Sequence, residues 1–399
     1  MINRKLVSIV PTQMKYISER EMEPAVRSRD LSGYFSSVYT IHPFAADDRV
    51  VRLDDRNTVY EFSVKPLRLP AWLNWFDYLV AQVRLIGKIY GLIKREDVSA
   101  IKAHDPYMIG LDGLVLSVLT RRPLVVFVLS NYDLAYKATG QLGFAPFRYR
   151  WIEKIIERLV FKSADMVWGG NENNKQYAVS NGASPEKCRT VRTIGICDHH
   201  FQAPGLNAGL RHEIGLKDEK VLLYVGRLSP EKYPQDVIRC AAFLSSQGAN
   251  FRLLIAGDGV MAGELNKLTG LLGIADKVVF LGFRPQAEVR ELFSIADVVL
   301  SPLTGSSLVE AALAGKSIVA YDVEWHSEII KHEYSGLLVK YRDRDALARA
   351  TLTLLQDPEL AARLGRNVRE LALEMFSSEQ TQQTERKCFE ELFLQRTGR

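Results

Sequence analysis

The 399-residue sequence is poor in cysteine: Cys188, Cys197, Cys240 and Cys388 are all it has, and no two stand in CxxC spacing. That excludes a disulfide-built scaffold and a zinc ribbon. Long apolar runs are missing too. No stretch reaches the roughly 18 residues a spanning helix needs, and MINRKLVSIVPTQMKY offers only about five apolar residues, too few for a signal-peptide core. A cytoplasmic protein is expected. There is no internal repeat of solenoid period and no RNA- or DNA-binding signature, so nucleic acid is not an expected partner. The paired acids Asp47-Asp48 and Asp54-Asp55 stand in polar loops rather than in a DxD-type metal motif, and no metal is expected. Hydrophobic residues make up 47% and charged residues 25%, which excludes a disordered or low-complexity chain.

The charge that is present is unevenly spread. Residues 1–200 hold 28 Lys+Arg against 21 Asp+Glu, a surplus of seven, whereas 201–399 hold 24 against 26. The first half is therefore expected to meet an anionic partner or surface, unless its cations only solvate helix faces.

Short apolar runs alternate with amphipathic stretches, the pattern of parallel sheets covered by helices. Strands are expected at Leu6–Val10, Ser36–Ile41, Thr58–Val64, Val98–Ala103, Leu124–Leu129, Asp165–Trp168 and Thr190–Arg192. Helical patterns lie between them near 72–94, 107–120, 148–163 and 171–180. After a connector, KVLLYVGR restarts the pattern, with strands at Val221–Val225, Arg252–Ala256, Val278–Leu281, Val298–Ser301 and Ser317–Tyr321. The expected division is an N-terminal Rossmann-like lobe over 1–200, a linker over 201–218, a second such lobe over 219–375 and a closing helix over 376–399. Such α/β lobes bind ligands beyond the carboxyl ends of their strands, in a cleft between the two.

Two loops at strand ends carry candidate chemistry. Gly226-Arg227-Leu228-Ser229-Pro230-Glu231-Lys232 follows VLLYV and would aim two cations at a ligand, Arg227 gripping phosphate bidentately and Lys232 acting as a point charge. Both could instead be solvated cations on a surface turn. In the second loop, Gly305-Ser306-Ser307 opens a helix after Val298–Ser301, and unpaired amides at a helix start favour an anion. Glu310 lies inside that helix, too far in for a cap, where its carboxylate could accept paired ribose hydroxyls or simply be solvated. Together the two loops suit a nucleotide diphosphate. The AGDG run at 256–259 does not fit GxGxxG.

These residues carry a resemblance. VLLYVGRLSPEKYPQDVIRCA, LLIAGDG, VVFLGFRPQAEVRELFSIADVVLSP and SLVEAALAGKSIVAYD, in this order and spacing, resemble the donor-binding lobe of GT-B glycosyltransferases of family 4, over about 219–342. The resemblance implies that Arg227 and Lys232 hold the donor diphosphate and Glu310 its ribose. It also implies that the backbone of Gly305, Ser306, Ser307 and Leu308 cradles phosphates and sugar. The first Glu of the family's E-x7-E pair is replaced by Pro302. In the first lobe, IKAHDPYMIGLDG resembles the acceptor-side segment and marks His104 and Asp105 as candidate catalytic residues; His104 could instead cap its strand. Leu129-Ser130 stands where the family usually carries a histidine. Asn131, Tyr132, Trp325 and His326 are weaker candidates for an acceptor or sugar pocket.

The stretch 65–97 combines Lys and Arg with Trp72, Trp75, Phe76, Tyr78 and Tyr90 at helical spacing. It resembles a basic amphipathic helix that could rest on an anionic membrane, though an ordinary helix packing its apolar face on the sheet fits as well. The activity implied is transfer of a sugar from a UDP- or GDP-sugar, used as co-substrate with no cofactor, to a glycan, lipid-linked or other acceptor in polysaccharide or glycoconjugate biosynthesis. Retention of configuration without a metal is implied as well. Alternatives are a catalytically silent nucleotide-sugar-binding subunit and a GT-B sugar-nucleotide epimerase.

Overall fold

The computed structural model describes residues 3–19, 22–63, 74–144, 148–192 and 208–397. The first part of the expected linker, 201–207, lies outside the described residues, as do Trp72 and Cys197. The chain forms two units, one of Met1–Gly195 with Glu379–Arg399, the other of Ile196–Ser378.

In the first unit the elements run β1 (Lys5–Ile9), α1 (Met14–Glu19), α2 (Glu23–Arg27), β2 (Ser37–Ala45), β3 (Arg49–Arg52), β4 (Asn57–Ser63), α3 (Asn74–Glu96), β5 (Ala100–Ala103), α4 (Met108–Thr120), β6 (Leu124–Val128), α5 (Tyr132–Thr139), α6 (Arg150–Ser163), β7 (Met166–Gly169), α7 (Glu172–Ser180) and β8 (Cys188–Thr190). The sheet order is β3-β4-β2-β1-β5-β6-β7-β8. All its pairings are parallel except that of β3 with β4. The central strands read as unbroken apolar runs because helices cover both faces, and LVVFV of β6 is buried throughout. The edge strand β3 escapes sequence reading. Its residues, RVVR, are mostly exposed and sit between two pairs of aspartates, and charge at an exposed edge discourages pairing with another chain.

In the second unit come α8 (Ala208–Glu213), β9 (Lys220–Val225), α9 (Pro234–Ser246), β10 (Phe251–Ala256), α10 (Ala262–Leu271), β11 (Val278–Gly282), α11 (Gln286–Ile295), β12 (Val298–Ser301), α12 (Ser306–Leu313), β13 (Ser317–Asp322), α13 (His326–Ile329), β14 (Leu337–Lys340), α14 (Arg344–Gln356) and α15 (Pro358–Phe376). The sheet is parallel throughout, in the order β11-β10-β9-β12-β13-β14. The order reverses direction between β9 and β12, the place where α/β sheets bind ligands. Both loops singled out from the sequence follow these two strands.

The last helix, α16 (Ser378–Thr397), packs on the first unit. Its Phe389 meets Phe35 and Trp168 edge-on, with centroids 4.9 and 5.0 Å away. Burying one such ring is worth about 1.5–3 kcal/mol. Lys102 of β5 reaches Glu385 at 2.9 Å, both side chains being buried, and the Lys102 ammonium sits 4.6 Å from the Trp168 ring centroid. No helix among the described residues is long and apolar enough to cross a membrane.

Candidate functional site

The second unit gathers most of the expected residues at the β9 and β12 strand ends. The loop after β9 is held open by a close backbone approach: a Cβ on Gly257 would lie 1.9 Å from the Gly226 carbonyl oxygen, and Gly257 has φ +154°. Only glycine fits there. The AGDG run is thus a packing device that seats the Gly226–Leu228 backbone, and the Gly226 amide donates to the Ala256 carbonyl at 3.0 Å. The Tyr224 hydroxyl donates to the Arg227 carbonyl at 3.0 Å and fixes the turn. Arg227 points outward, its side chain 71% exposed, with Glu231 at 3.4 Å.

Helix α12 begins at Gly305 with φ +80°, and no side chain caps it. No side chain therefore satisfies its first amides, and the positive end of the helix dipole lies behind them, while the Leu308 amide donates to the Gly305 carbonyl at 3.1 Å. The start of α12 is pinned to the end of β9 because the Ser307 hydroxyl donates to the Val225 carbonyl at 2.7 Å. Ser307 thus acts as a structural tie, whereas Ser306 is exposed and Leu308 is buried. The Lys232 ammonium lies at this helix start, 4.0 Å from where a Cβ on Gly305 would be. Burial holds its pKa below the ordinary lysine value, while Glu324 works the other way. Glu324 has a left-handed backbone, φ +52°, unusual for a non-glycine residue. Burial pushes its carboxyl pKa up and Lys232 draws it down.

Glu310 is buried on α12. His326 is fully buried, donates from Nδ1 to the Tyr321 carbonyl at 3.0 Å, and has its pKa depressed to about 4 by burial. It is neutral at physiological pH. Trp325 stands edge-on to it, with centroids 5.7 Å apart.

The first unit carries a separate cluster. His104 follows β5, buried, with Nε2 3.1 Å from the Ser8 hydroxyl and its ring edge-on to Phe127. Burial, then the charges of Lys102 and Arg29, hold its pKa well below the usual value, so the ring is neutral and serves as a hydrogen-bonding group. Asp105 accepts the Tyr107 amide at 2.8 Å at the start of α4, and burial raises its pKa to about 7. Asn131 caps α5 by accepting the Leu134 amide at 3.2 Å, and its Nδ2 donates to Asn173 at 2.9 Å. Tyr132 stacks edge-on against Tyr107 with centroids 4.9 Å apart. Leu129, just past β6, is half exposed. Lys102 and Ser8 escape sequence reading, although strand alternation in IKAH already puts Lys102 and His104 on one face.

Comparison with known proteins gives a consistent picture. Residues 210–371 match the family described as Glycosyl transferases group 1. The alpha-D-kanosaminyltransferase of Streptomyces kanamyceticus is 32% identical over 174 residues, 43% of this chain and 45% of that protein, so the match spans less than half of that relative. An uncharacterized glycosyltransferase of Methanocaldococcus jannaschii is 29% identical over 75% of this chain and 76% of its own. Among solved structures, HepE of Anabaena in complex with UDP superposes with a TM-score of 0.76 at 19% identity, covering 97% of this chain and 100% of that one. Sucrose-phosphate synthase from Thermosynechococcus elongatus gives 0.78 at 19% identity, covering 98% and 100%. At that identity the superpositions establish the fold, a GT-B architecture of two Rossmann-like lobes with C-terminal helices. Residues 210–371, the stretch that holds Arg227, Lys232, Gly305, Glu310 and Glu324, are thus similar to the Glycosyl transferases group 1 family, and that match covers less than half of the chain.

Proposed function

We propose that the protein is a glycosyltransferase that takes a sugar from a nucleoside diphosphate-sugar, UDP- or GDP-linked, and passes it to a hydroxyl of a glycan or lipid-linked acceptor with retention of configuration. The observation that carries this reading is the Lys232 ammonium at the uncapped start of α12, beside the Arg227 loop. Two cations and a set of fixed amides suit a diphosphate, and they are most useful as its charge grows on departure. As the bond from sugar C1 to the diphosphate oxygen breaks, negative charge collects on that oxygen. Lys232, Arg227 and the helix dipole then stabilise it without a metal ion. Glu310, buried on the same helix, accepts the ribose hydroxyls. In this reading His104, neutral, hydrogen-bonds a hydroxyl, and Asp105, with a pKa of about 7, is the group assigned to take the acceptor's proton.

The match to HepE in complex with UDP and to the same protein with UDP-glucose favours a UDP-sugar as the first donor to try. Calorimetry with UDP-, GDP- and ADP-sugars tests the donor. Product analysis with donor alone and with glycan or lipid-linked acceptors tests the transfer. A new sugar on the acceptor supports the proposal. An isomerised donor without acceptor would instead identify a sugar-nucleotide epimerase. Pro302 and Leu129 favour one further reading, a subunit that binds the donor and turns nothing over. Tight donor binding with no product under any acceptor would establish that reading.

A further inference from the structure

Helix α6 has an outward face that neither cluster uses. Its exposed positions are Trp151, Ile155, Arg158, Leu159, Lys162 and Ser163. Trp151, Ile155 and Leu159 are 62, 59 and 49% exposed and stand four residues apart, on a single stripe. Tyr149, also exposed, stacks on Trp151 at 6.4 Å between centroids and 25° between planes, extending the stripe past the helix start. At 1.5 Å per residue, Trp151 to Lys162 covers about 17 Å.

The carboxylates of this helix face the other way. Glu153 is fully buried, taking the Phe144 amide at 2.6 Å and Arg150 at 2.7 Å. Glu157 is fully buried as well, taking Lys154 at 2.7 Å and the Tyr177 hydroxyl at 2.6 Å. Acidic groups therefore face in, while three large apolar side chains face out, and the other exposed side chains of the helix are Arg158, Lys162 and Ser163. An exposed apolar stripe of this size marks an interaction surface.

We propose that this face of α6 docks the protein on an anionic lipid bilayer. Trp151, Ile155 and Leu159 would seat at the boundary between headgroups and acyl chains, with Arg158 and Lys162 on anionic headgroups. Charge complementarity selects the lipid surface, since α6 exposes no carboxylate to meet a basic partner or to repel phosphate. Trp and Tyr rings also favour that boundary. The proposal deepens the lipid-linked acceptor reading and rests on it only for what the docked enzyme would meet there. Docking itself needs no turnover. The stretch 65–97 is the sequence's own candidate; in its described part helix α3 turns Leu85, Ile89, Leu92 and Ile93 inward, leaves Phe76, Leu79, Val83 and Tyr90 exposed, and pairs Lys88 with Asp48 at 2.6 Å.

The test is co-sedimentation of the full chain with vesicles of phosphatidylglycerol and phosphatidylcholine, against phosphatidylcholine alone, at low and high salt. The parent is expected to bind only the anionic vesicles and to release in salt. Each lysine or arginine near such a surface contributes roughly fivefold in partition, so Arg158→Glu with Lys162→Glu should lower binding by at least tenfold. Trp151→Ala with Ile155→Ala should lower it similarly, whereas Leu79→Ala with Val83→Ala on α3 should not. All these side chains are exposed, and unchanged circular dichroism confirms folding. Absence of binding to either vesicle overturns the proposal, as does binding that survives both α6 variants. A dimer in light scattering that Trp151→Ala dissolves also overturns it, because a second copy would then cover the face. UDP affinity measured on the same variants should equal the parent's, which separates failure here from failure of the donor reading.

Discussion

Replacing Lys232 by alanine tests the proposed donor site most directly, because two consequences follow from one pairing. A charge-assisted bond to phosphate is worth about 1.5–3 kcal/mol, so Lys232→Ala should weaken UDP or GDP binding by roughly ten- to a hundredfold. The loss should exceed that of the single bond at neutral pH. Lys232 draws the Glu324 carboxyl pKa down against the effect of burial; without the ammonium that pKa rises, yet a carboxylate ionised near the diphosphate repels it. Lowering the pH favours the neutral form of Glu324 and eases this repulsion, so the penalty of Lys232→Ala should shrink as the pH falls. Adding Glu324→Gln should shrink it in the same way at neutral pH. Glu324→Gln alone should bind the nucleotide at least as tightly as the parent, since Lys232 then has no carboxylate to leave. Titration calorimetry across pH on the four proteins, with circular dichroism for folding, gives the answer. Parent-like affinity of Lys232→Ala would refute the placement of the diphosphate at the start of α12. A pH-independent penalty would refute the role of Glu324.

Glu310→Gln should weaken nucleoside diphosphate binding about tenfold yet leave pyrophosphate affinity unchanged, because its proposed partners are ribose hydroxyls; equal losses for both ligands would make it an ordinary buried glutamate. Asp105 titrates near 7 when folded against an ordinary 3.8, so the folded state binds more protons over that interval. Stability should accordingly fall as pH rises from about 4 to 7, with a slope approaching 1.4 kcal/mol per pH unit that Asp105→Asn flattens in denaturant titrations. Glu385→Ala leaves the buried Lys102 ammonium unpaired and should cost about 3–5 kcal/mol, read as a lower melting temperature. Adding Lys102→Met should restore most of that loss, and no recovery would mean the helix α16 is held by its aromatic contacts alone.

The sequence by itself determined the two sheets and the two candidate loops at their strand ends. Parallel strands covered on both faces must be apolar along their whole length, so runs such as KVLLYV and VVFV announce themselves, and loops at their ends follow. Gly226-Arg227 was readable because it directly follows an apolar strand run, and Gly305-Ser306 because a helix start with positive φ at Gly305 favours glycine. What pairs with what was not readable, because such pairing is long-range. Only the fold brings Glu324 to Lys232, Glu385 to Lys102 and Ser8 to His104, residues separated by up to 283 positions. The same holds for β3, whose charged residues look like loop until β4 lies beside it. Helix α6 is the sharpest case. Its sequence shows glutamates and large apolar residues at helical spacing, and the ordinary expectation is apolar inward. Tertiary structure reversed much of that, because Tyr107, Tyr177, Arg150 and Lys154 offer the two carboxylates a polar interior that satisfies them, leaving Trp151, Ile155 and Leu159 to face outward.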